Sequence, residues 1–264
     1  MLKMCALYSG SSGNSIYVSN GTNLLVDAGV NCKEIQIAMQ AIGESISDIH
    51  GILLTHEHID HMRGIGVIMR RYRIPLYVNK MTWDRMQHMR IGYIPNELVH
   101  IFKSDSSFAI GDLSIRSFRT LHDAAESVGF RIISNNQSVS IFTDIGEITQ
   151  DVLDCVNGSD AVFIESNYDY DMLWNGTYPW PLKKRINGVN GHLSNIDCAK
   201  SIGDLLGNGT TRFVLSHLSK ENNSPELALK TTTDFLSYIG AFEGKDFVLQ
   251  VARRSGPSTP WTIS

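Results

Sequence analysis

Short apolar runs recur along this chain, bounded by turn residues, and helical patterns fall between them. Ile16-Tyr17-Val18 and Leu24-Leu25-Val26 flank Asn20-Gly21. That arrangement predicts a hairpin, because Asn and Gly tolerate the positive φ angles of a primed turn. Phe108-Ala109-Ile110 and Leu113-Ser114-Ile115 around Gly111-Asp112 predict a second. Further strands are expected near Phe130 to Ile133, Val139 to Phe142, Ala161 to Ile164, Phe213 to Leu215 and Phe247 to Val251. Helices are expected from about Lys33 to Ile42, where Gly43 stops the pattern, and near Met81 to Met89, Asn195 to Leu206 and Pro225 to Tyr238. Hairpins in each half with helices between predict an α/β fold of two facing mixed sheets flanked by helices.

One apolar run ends in an unusual density of metal-binding side chains: Ile52-Leu53-Leu54-Thr55-His56-Glu57-His58-Ile59-Asp60-His61. The apolar part suits a strand buried on both faces, and the crevice beyond the carboxyl ends of such strands is where open α/β sheets take ligands. His56 and His58 can face one metal ion while Asp60 and His61 face a second. The string is not the helical H-E-x-x-H zinc motif, since Asp60 stands four positions after His56. Two later segments have the same form: Ser140-Ile141-Phe142-Thr143 leads into Asp144, and Phe213-Val214-Leu215-Ser216 leads into His217. His122 follows the strand-like Leu113 to Phe118. A common sheet could bring all of them to one edge.

This combination resembles the metallo-β-lactamase superfamily, whose H-x-H-x-D-H signature is matched by His56, His58, Asp60 and His61. The superfamily's later ligands are matched by His122, Asp144 and His217. The resemblance implies an αββα sandwich of two mixed sheets, and a role for Asp27, at the end of Leu24-Leu25-Val26, in steadying the histidine loop rather than binding metal. Four segments narrow it further: Ser9 to Ser15, Glu165 to Asp169, Gly191 to Asn195, and Ser216 to Asn223. They are similar to those of the YycJ (WalJ) group of bacterial DNA exonucleases. That likeness implies a 5′-to-3′ exonuclease on double-stranded DNA.

Composition sets limits. The chain has 264 residues, 42% of them hydrophobic, enough for a sizeable core within one α/β domain over residues 1–264. Cys5, Cys32, Cys155 and Cys198 are scattered with no C-x-x-C pair, which argues against a disulfide framework and a cysteine-rich zinc module and predicts a reducing compartment. Met1 to Gly10 reads as a first strand rather than a signal peptide, and no stretch is long enough to span a membrane, so a cytoplasmic protein with no membrane partner is expected. The net charge of −4 argues against holding nucleic acid over the whole surface. Basic clusters occur at Arg70-Arg71-Tyr72-Arg73, Lys183-Lys184-Arg185 and Arg253-Arg254. The second follows Tyr178-Pro179-Trp180-Pro181, and basic groups beside aromatic faces are what backbone tracking and base stacking require.

The expected chemistry is metal-assisted hydrolysis. With the resemblance as guide, His56, His58 and His122 hold one divalent ion, Asp60, His61 and His217 a second, and Asp144 bridges them. The nitrogen and oxygen ligands suit zinc, manganese or iron. Asp60 is the candidate acceptor of the attacking water's proton. His192 is the candidate donor to the leaving oxygen, with Glu165 fixing its tautomer. His192 is also the alternative to His217 as last ligand; His217 is favoured because it directly follows an apolar strand. Expected phosphate contacts are Ser11, Ser12, Gly13, Asn14, Ser194, Ser219, Lys220 and Asn222. His50, His88 and His100 are expected to be structural or exposed. The competing readings are a small-molecule hydrolase of a thioester, lactone or cyclic phosphodiester, and a di-iron redox scaffold, against which His58 argues.

Overall fold

A computed structural model describes residues 1–89 and 91–263. The first half runs β1 (Leu2–Tyr8), β2 (Ser15–Ser19), β3 (Asn23–Val26), α1 (Cys32–Ala41), β4 (Gly51–Leu53), α2 (Ile59–Met62), α3 (Ile65–Tyr72), β5 (Leu76–Asn79), α4 (Lys80–Gln87), β6 (Val99–Phe102), β7 (Ser107–Ile110) and β8 (Leu113–Arg119). The second half runs β9 (Val128–Ser134), β10 (Gln137–Phe142), α5 (Gln150–Val156), β11 (Ala161–Glu165), α6 (Tyr170–Asn175), α7 (Trp180–Ile186), α8 (Asn195–Gly207), β12 (Arg212–Ser216), α9 (Pro225–Tyr238), β13 (Val248–Val251) and β14 (Trp261–Ile263).

The strands form two seven-stranded sheets, ordered β14-β1-β2-β3-β4-β5-β6 and β13-β12-β11-β10-β9-β8-β7. Each is antiparallel on its hairpin side and parallel on the other: β3 to β6 pair in parallel, as do β10 to β13. The apolar runs read as continuous because both faces of these strands are covered. In β4, Leu53 faces the layer between the sheets, with Val26, Phe130, Ile141 and Phe163. Its neighbours Ile52 and Leu54 face outward onto Ile35 and Met39 of α1 and Ile65 and Ile68 of α3. On the far side, Val162 and Ile164 of β11 pack under Cys198 and Ile202 of α8 and Leu236 of α9. The result is the expected αββα sandwich.

Capping explains the helix starts. Asn31 and Glu34 form a reciprocal capping box at α1, and Ser194 and Ser224 accept the N–H of Asp197 and Leu227 at α8 and α9. Both predicted hairpins form. The first differs in its turn: Ser19 pairs with Asn23, leaving a three-residue connection in which Gly21 has φ +90° while Asn20 stays in the ordinary region. Helices α2, α3, α5, α6 and α7 were not foreseen, being short or following ligand-bearing loops. Among the described residues, no helix is long and apolar enough to cross a membrane.

Candidate metal centre

Parallel pairing brings the carboxyl ends of β3, β4, β10, β11 and β12 to the same side of the molecule, and the predicted residues follow those ends. Beyond β4 the chain stays extended through His56 and His58, then makes the single helical turn α2 that carries Asp60 and His61. The change from extended chain to helix lets one decapeptide face in two directions. Gly29 makes room for it, since a Cβ there would lie 1.7 Å from the Asp60 carbonyl oxygen. Asp27, Asp144 and His217 end their strands at φ +62°, +56° and +56°. Left-handed backbone costs most non-glycine residues about 1–2 kcal/mol and aspartate less, and such conformations cluster at functional sites.

The imidazoles lie in van der Waals contact. The ring centre of His56 is 4.6 Å from that of His58, 4.2 Å from His61 and 5.1 Å from His122. His58 Nδ1 and His122 Nε2 approach to 3.3 Å, while His122 Nδ1 donates to the Gly191 carbonyl at 3.0 Å. His122 Nε2 therefore carries a lone pair directed at His58. On the other side, His61 Nε2 is 3.1 Å from Asp144 Oδ2 and 3.6 Å from Asp60 Oδ2. His217 Nε2 is 3.6 Å from Asp60 Oδ2 and 3.5 Å from Asp144 Oδ1. His56, His58 and His122 thus form one group able to hold a cation, and Asp60, His61 and His217 another. Asp144 lies between them.

Among the described residues, three buried atoms aimed into this space, His56 Nε2, His217 Nε2 and Asp144 Oδ2, form no well-aligned hydrogen bond, although His61 Nε2 lies 3.1 Å from Asp144 Oδ2. Buried acceptors left unpaired are costly, and an oxygen–imidazole set without thiolate suits a hard to intermediate divalent ion. The residues therefore fit the metal ions that the family resemblance implies. Charge agrees. Burial disfavours a proton on His61, but Asp144, Asp27 and Asp60 outweigh it and hold its pKa well above the usual imidazole range. Burial likewise opposes charge on His217, yet Asp144, Asp60 and Glu165 hold its pKa at about 10. Burial dominates at His56, whose pKa is well below the ordinary value. The pocket attracts positive charge, which a divalent cation supplies in place of protons.

The groups behind the ligands are equally defined. Asp27 accepts from the Thr55 amide at 2.9 Å and contacts His61 Nδ1 at 2.7 Å, which orients His61 Nε2 inward. Asp27→Asn keeps the left-handed backbone accessible but removes the charge behind His61. Metal affinity should fall about 10- to 100-fold in a chelator competition, and unchanged affinity would reduce Asp27 to a purely structural residue. Glu165 is fully buried and uses a single oxygen, Oε1, for both His192 Nδ1 at 2.8 Å and His217 Nδ1 at 2.7 Å. Its Oε2 accepts from the amides of Ile145 and Leu193. Burial would raise its pKa, but His192 and His217 hold it below the usual carboxyl range. His192 differs from His217: its side chain is 16% exposed, and its nearest approach to Asp144 is 3.8 Å through Nδ1 rather than Nε2. With Nδ1 occupied by Glu165, His192 Nε2 is left for another partner.

The chain matches the model of the β-lactamase superfamily domain over residues 22–218. It is 38% identical over 93% of both chains to an exodeoxyribonuclease YycJ of Bacillus anthracis. It is 39% identical to an exodeoxyribonuclease WalJ of Streptococcus pneumoniae, over 93% of this chain and 92% of that one. The chain belongs to the metallo-β-lactamase superfamily, in its YycJ (WalJ) group. Solved structures agree in fold: the metallo-β-lactamase fold protein YhfI of Bacillus subtilis superposes with a TM-score of 0.74 at 16% identity, covering 99% of this chain and 100% of that one. The short form of human tRNase Z gives 0.60 at 17% identity, covering 83% and 93%.

The expected phosphate contacts divide. The Gly13 amide bonds Gly10 O and the Asn14 amide bonds Asp60 O; the Asn14 side chain accepts from Gly10 and lies against Asp60 and His61. Ser194 exchanges hydrogen bonds with Asp197 as the α8 cap, and Ser219 accepts from Asn222 while its amide bonds Asn167 O. Gly13, Asn14, Ser194 and Ser219 therefore use these groups within the scaffold, although the Ser219 hydroxyl, as an acceptor, keeps its own proton to donate. Ser11, Ser12 and Lys220 remain exposed, and among the described residues the buried Asn222 Nδ2 has no partner.

Of the basic clusters, Arg73 pairs with Glu97, and Lys183 is buried, donating to the Trp174 and Gly176 carbonyls. Arg254, read in the sequence only as part of a basic cluster, donates through Nη2 to Leu218 O, while among the described residues its buried Nη1, near Gly10, has no partner. Sequence reasoning gave no role to Glu57, which accepts from the Ala125 amide and so ties the His56–His58 segment to the His122 loop. Both partners are distant in sequence, so no local pattern showed these contacts. His50 accepts from the Asn23 amide and His100 stacks on Tyr77, away from the centre.

Proposed function

We propose that this protein is a two-metal phosphodiesterase that degrades double-stranded DNA inward from a 5′ end, acting as one domain over residues 1–264 in the cytoplasm. The observation that carries the reading is the Glu165–His192 pair beside the His/Asp cluster. The 38–39% identity to exodeoxyribonucleases over 93% of the chain supports the substrate. Four free cysteines go with a reducing compartment.

His56, His58 and His122 would hold one ion, Asp60, His61 and His217 the other, and Asp144 would offer one oxygen to each. Two divalent cations of zinc, manganese or iron bound there would acidify water and polarise the phosphoryl oxygens. Asp60, less buried than Asp144, accepts the attacking water's proton. His192 donates a proton from Nε2 to the departing 3′ oxygen. Glu165, by holding Nδ1–H, keeps His192 in the donor form and strengthens its basicity between turnovers. His217 is favoured over His192 as the last ligand because its Nε2 is buried, unpaired and aimed at Asp60 and Asp144.

A terminal phosphate carries more charge than an internal diester, so Lys220, with Ser11, Ser12 and the Asn222 amide, would hold it by charge-assisted hydrogen bonds. Holoenzyme offered 5′-phosphorylated and 5′-hydroxyl duplexes labelled at either end should release the 5′ label first and prefer the phosphate. Lys220→Ala should narrow that preference more than it slows a small diester such as bis-p-nitrophenyl phosphate. Equal cutting of circular and linear DNA would leave a general phosphodiesterase instead.

A further inference from the structure

Between Glu165 and His192 the chain leaves the metal centre, builds α6 and α7, and returns. This excursion has its own small core of Tyr168, Leu173 and Ile186, with Tyr178 and Leu182 against it. Above that core lies a row of aromatic rings. Tyr170 is 6.0 Å from Trp174, and Trp174 is 4.9 Å from Trp180, centre to centre. Tyr170 and Trp180 are 54% and 59% exposed. A single exposed ring is ordinary, whereas adjoining exposed rings form the kind of contiguous patch that marks a binding surface.

Three features of the row point to its occupant. It is rigid, because buried Lys183 clamps the end of α6 through the Trp174 and Gly176 carbonyls, at 2.8 and 2.7 Å. It is bordered by cations: Lys184 Nζ lies over one face of the Trp180 ring, 5.4 Å from its centre, and Arg185 pairs with Asp123, whose Oδ1 is 3.4 Å from His122 Nε2. It is continuous with the catalytic cluster, since the His192 amide donates to Ile186 O, the last residue of α7, at 2.8 Å. Trp180 starts that helix, so it stands about 9 Å along the axis from Ile186 at about 1.5 Å per residue. That is roughly two to three base steps at about 3.4 Å each.

We propose that Tyr170, Trp174 and Trp180 form a stacking platform for unpaired bases at the end of a nucleic-acid strand, with Lys184 beside it for the adjoining phosphate. The inference rests on the nuclease reading above and adds to it a subsite that captures frayed ends. Stacking tolerates every base, since each has a π face, while the phosphate supplies the negative charge that Lys184 attracts. A protein partner would gain little from a row of rings bordered by Lys184 and Arg185 and continuous with the cluster that handles phosphate.

The test is binding by holoenzyme of a labelled duplex whose phosphorothioate end resists cleavage, followed by fluorescence anisotropy. Trp180→Ala should weaken binding by roughly 5- to 150-fold, the range for loss of stacking on one base. Replacing the last three nucleotides of one strand by abasic residues should weaken the parent protein at least as much, since stacking on every ring is then lost. Adding Trp180→Ala should cost little beyond the abasic end alone, because the Trp180 contact is already gone. Trp180→Phe, which keeps a ring, should retain most of the affinity and shows that loss in the alanine variant is not misfolding. Additive losses, or equal binding by parent and Trp180→Ala, overturn the platform. Absence of any DNA cleavage by the parent overturns the nuclease reading separately, since the binding assay does not depend on cleavage.

Discussion

Asp144→Ala should abolish hydrolysis, by at least about four orders of magnitude, while leaving the fold largely intact. Asp144 stands between the two ligand groups, with Oδ1 3.5 Å from His217 Nε2 and Oδ2 3.1 Å from His61 Nε2. Removing it deletes the negative charge that draws cations to both groups. Several kcal/mol of charge stabilisation at the phosphoryl oxygens then go with them, and each 1.36 kcal/mol is about tenfold in rate. The fold persists because little core volume is lost; alanine at the left-handed position adds about 1–2 kcal/mol of strain, a modest share of a typical domain's stability. Asp144→Asn tolerates that backbone and should be as inactive without the strain. His61→Ala should behave like Asp144→Ala. Metal content by elemental analysis, with circular dichroism as the control for folding, checks all three. Full activity with two ions per chain in any of them would remove these residues from the metal centre.

His192→Ala should keep both ions and still lose roughly 10²- to 10⁴-fold in the chemical step, the usual contribution of a general acid. The geometry separates this residue from the ligands: Glu165 holds its Nδ1, and its ring is the more exposed of the two that Glu165 contacts. Single-turnover rates and metal content measured on the same preparation distinguish the roles. Loss of one ion per chain would make His192 a ligand and demote His217.

Much of the architecture was legible because its signals are local. Strands buried on both faces announce themselves as apolar runs, and α9 begins and ends at Pro225 and Tyr238, the limits its pattern gave. The shorter helices were not legible. In α6 and α7 the buried positions are too few to set a period, and their stability comes from packing on Tyr168 rather than from their own sequence. Lys183 shows the limit most plainly, since a lysine in a basic run looks solvated and only the fold reveals the two carbonyls it reaches.

By itself the sequence determined the chemical inventory: a decapeptide dense in histidine and aspartate, three further residues placed after apolar runs, and scattered cysteines that argue against a cysteine-rich zinc module. It could do so because residue type and short-range period are properties of the chain alone. Tertiary structure decided which nitrogen of each histidine faces inward, that one Glu165 oxygen serves both His192 and His217, and that Gly13, Asn14, Ser194 and Ser219 each bond within the scaffold. These depend on partners far apart in sequence: the Ser9 hydroxyl accepts from the His217 amide, and Asn14 meets Asp60. A hydrogen bond is chosen by where its partner lies in space, which the order of residues along the chain does not record until both sheets have closed.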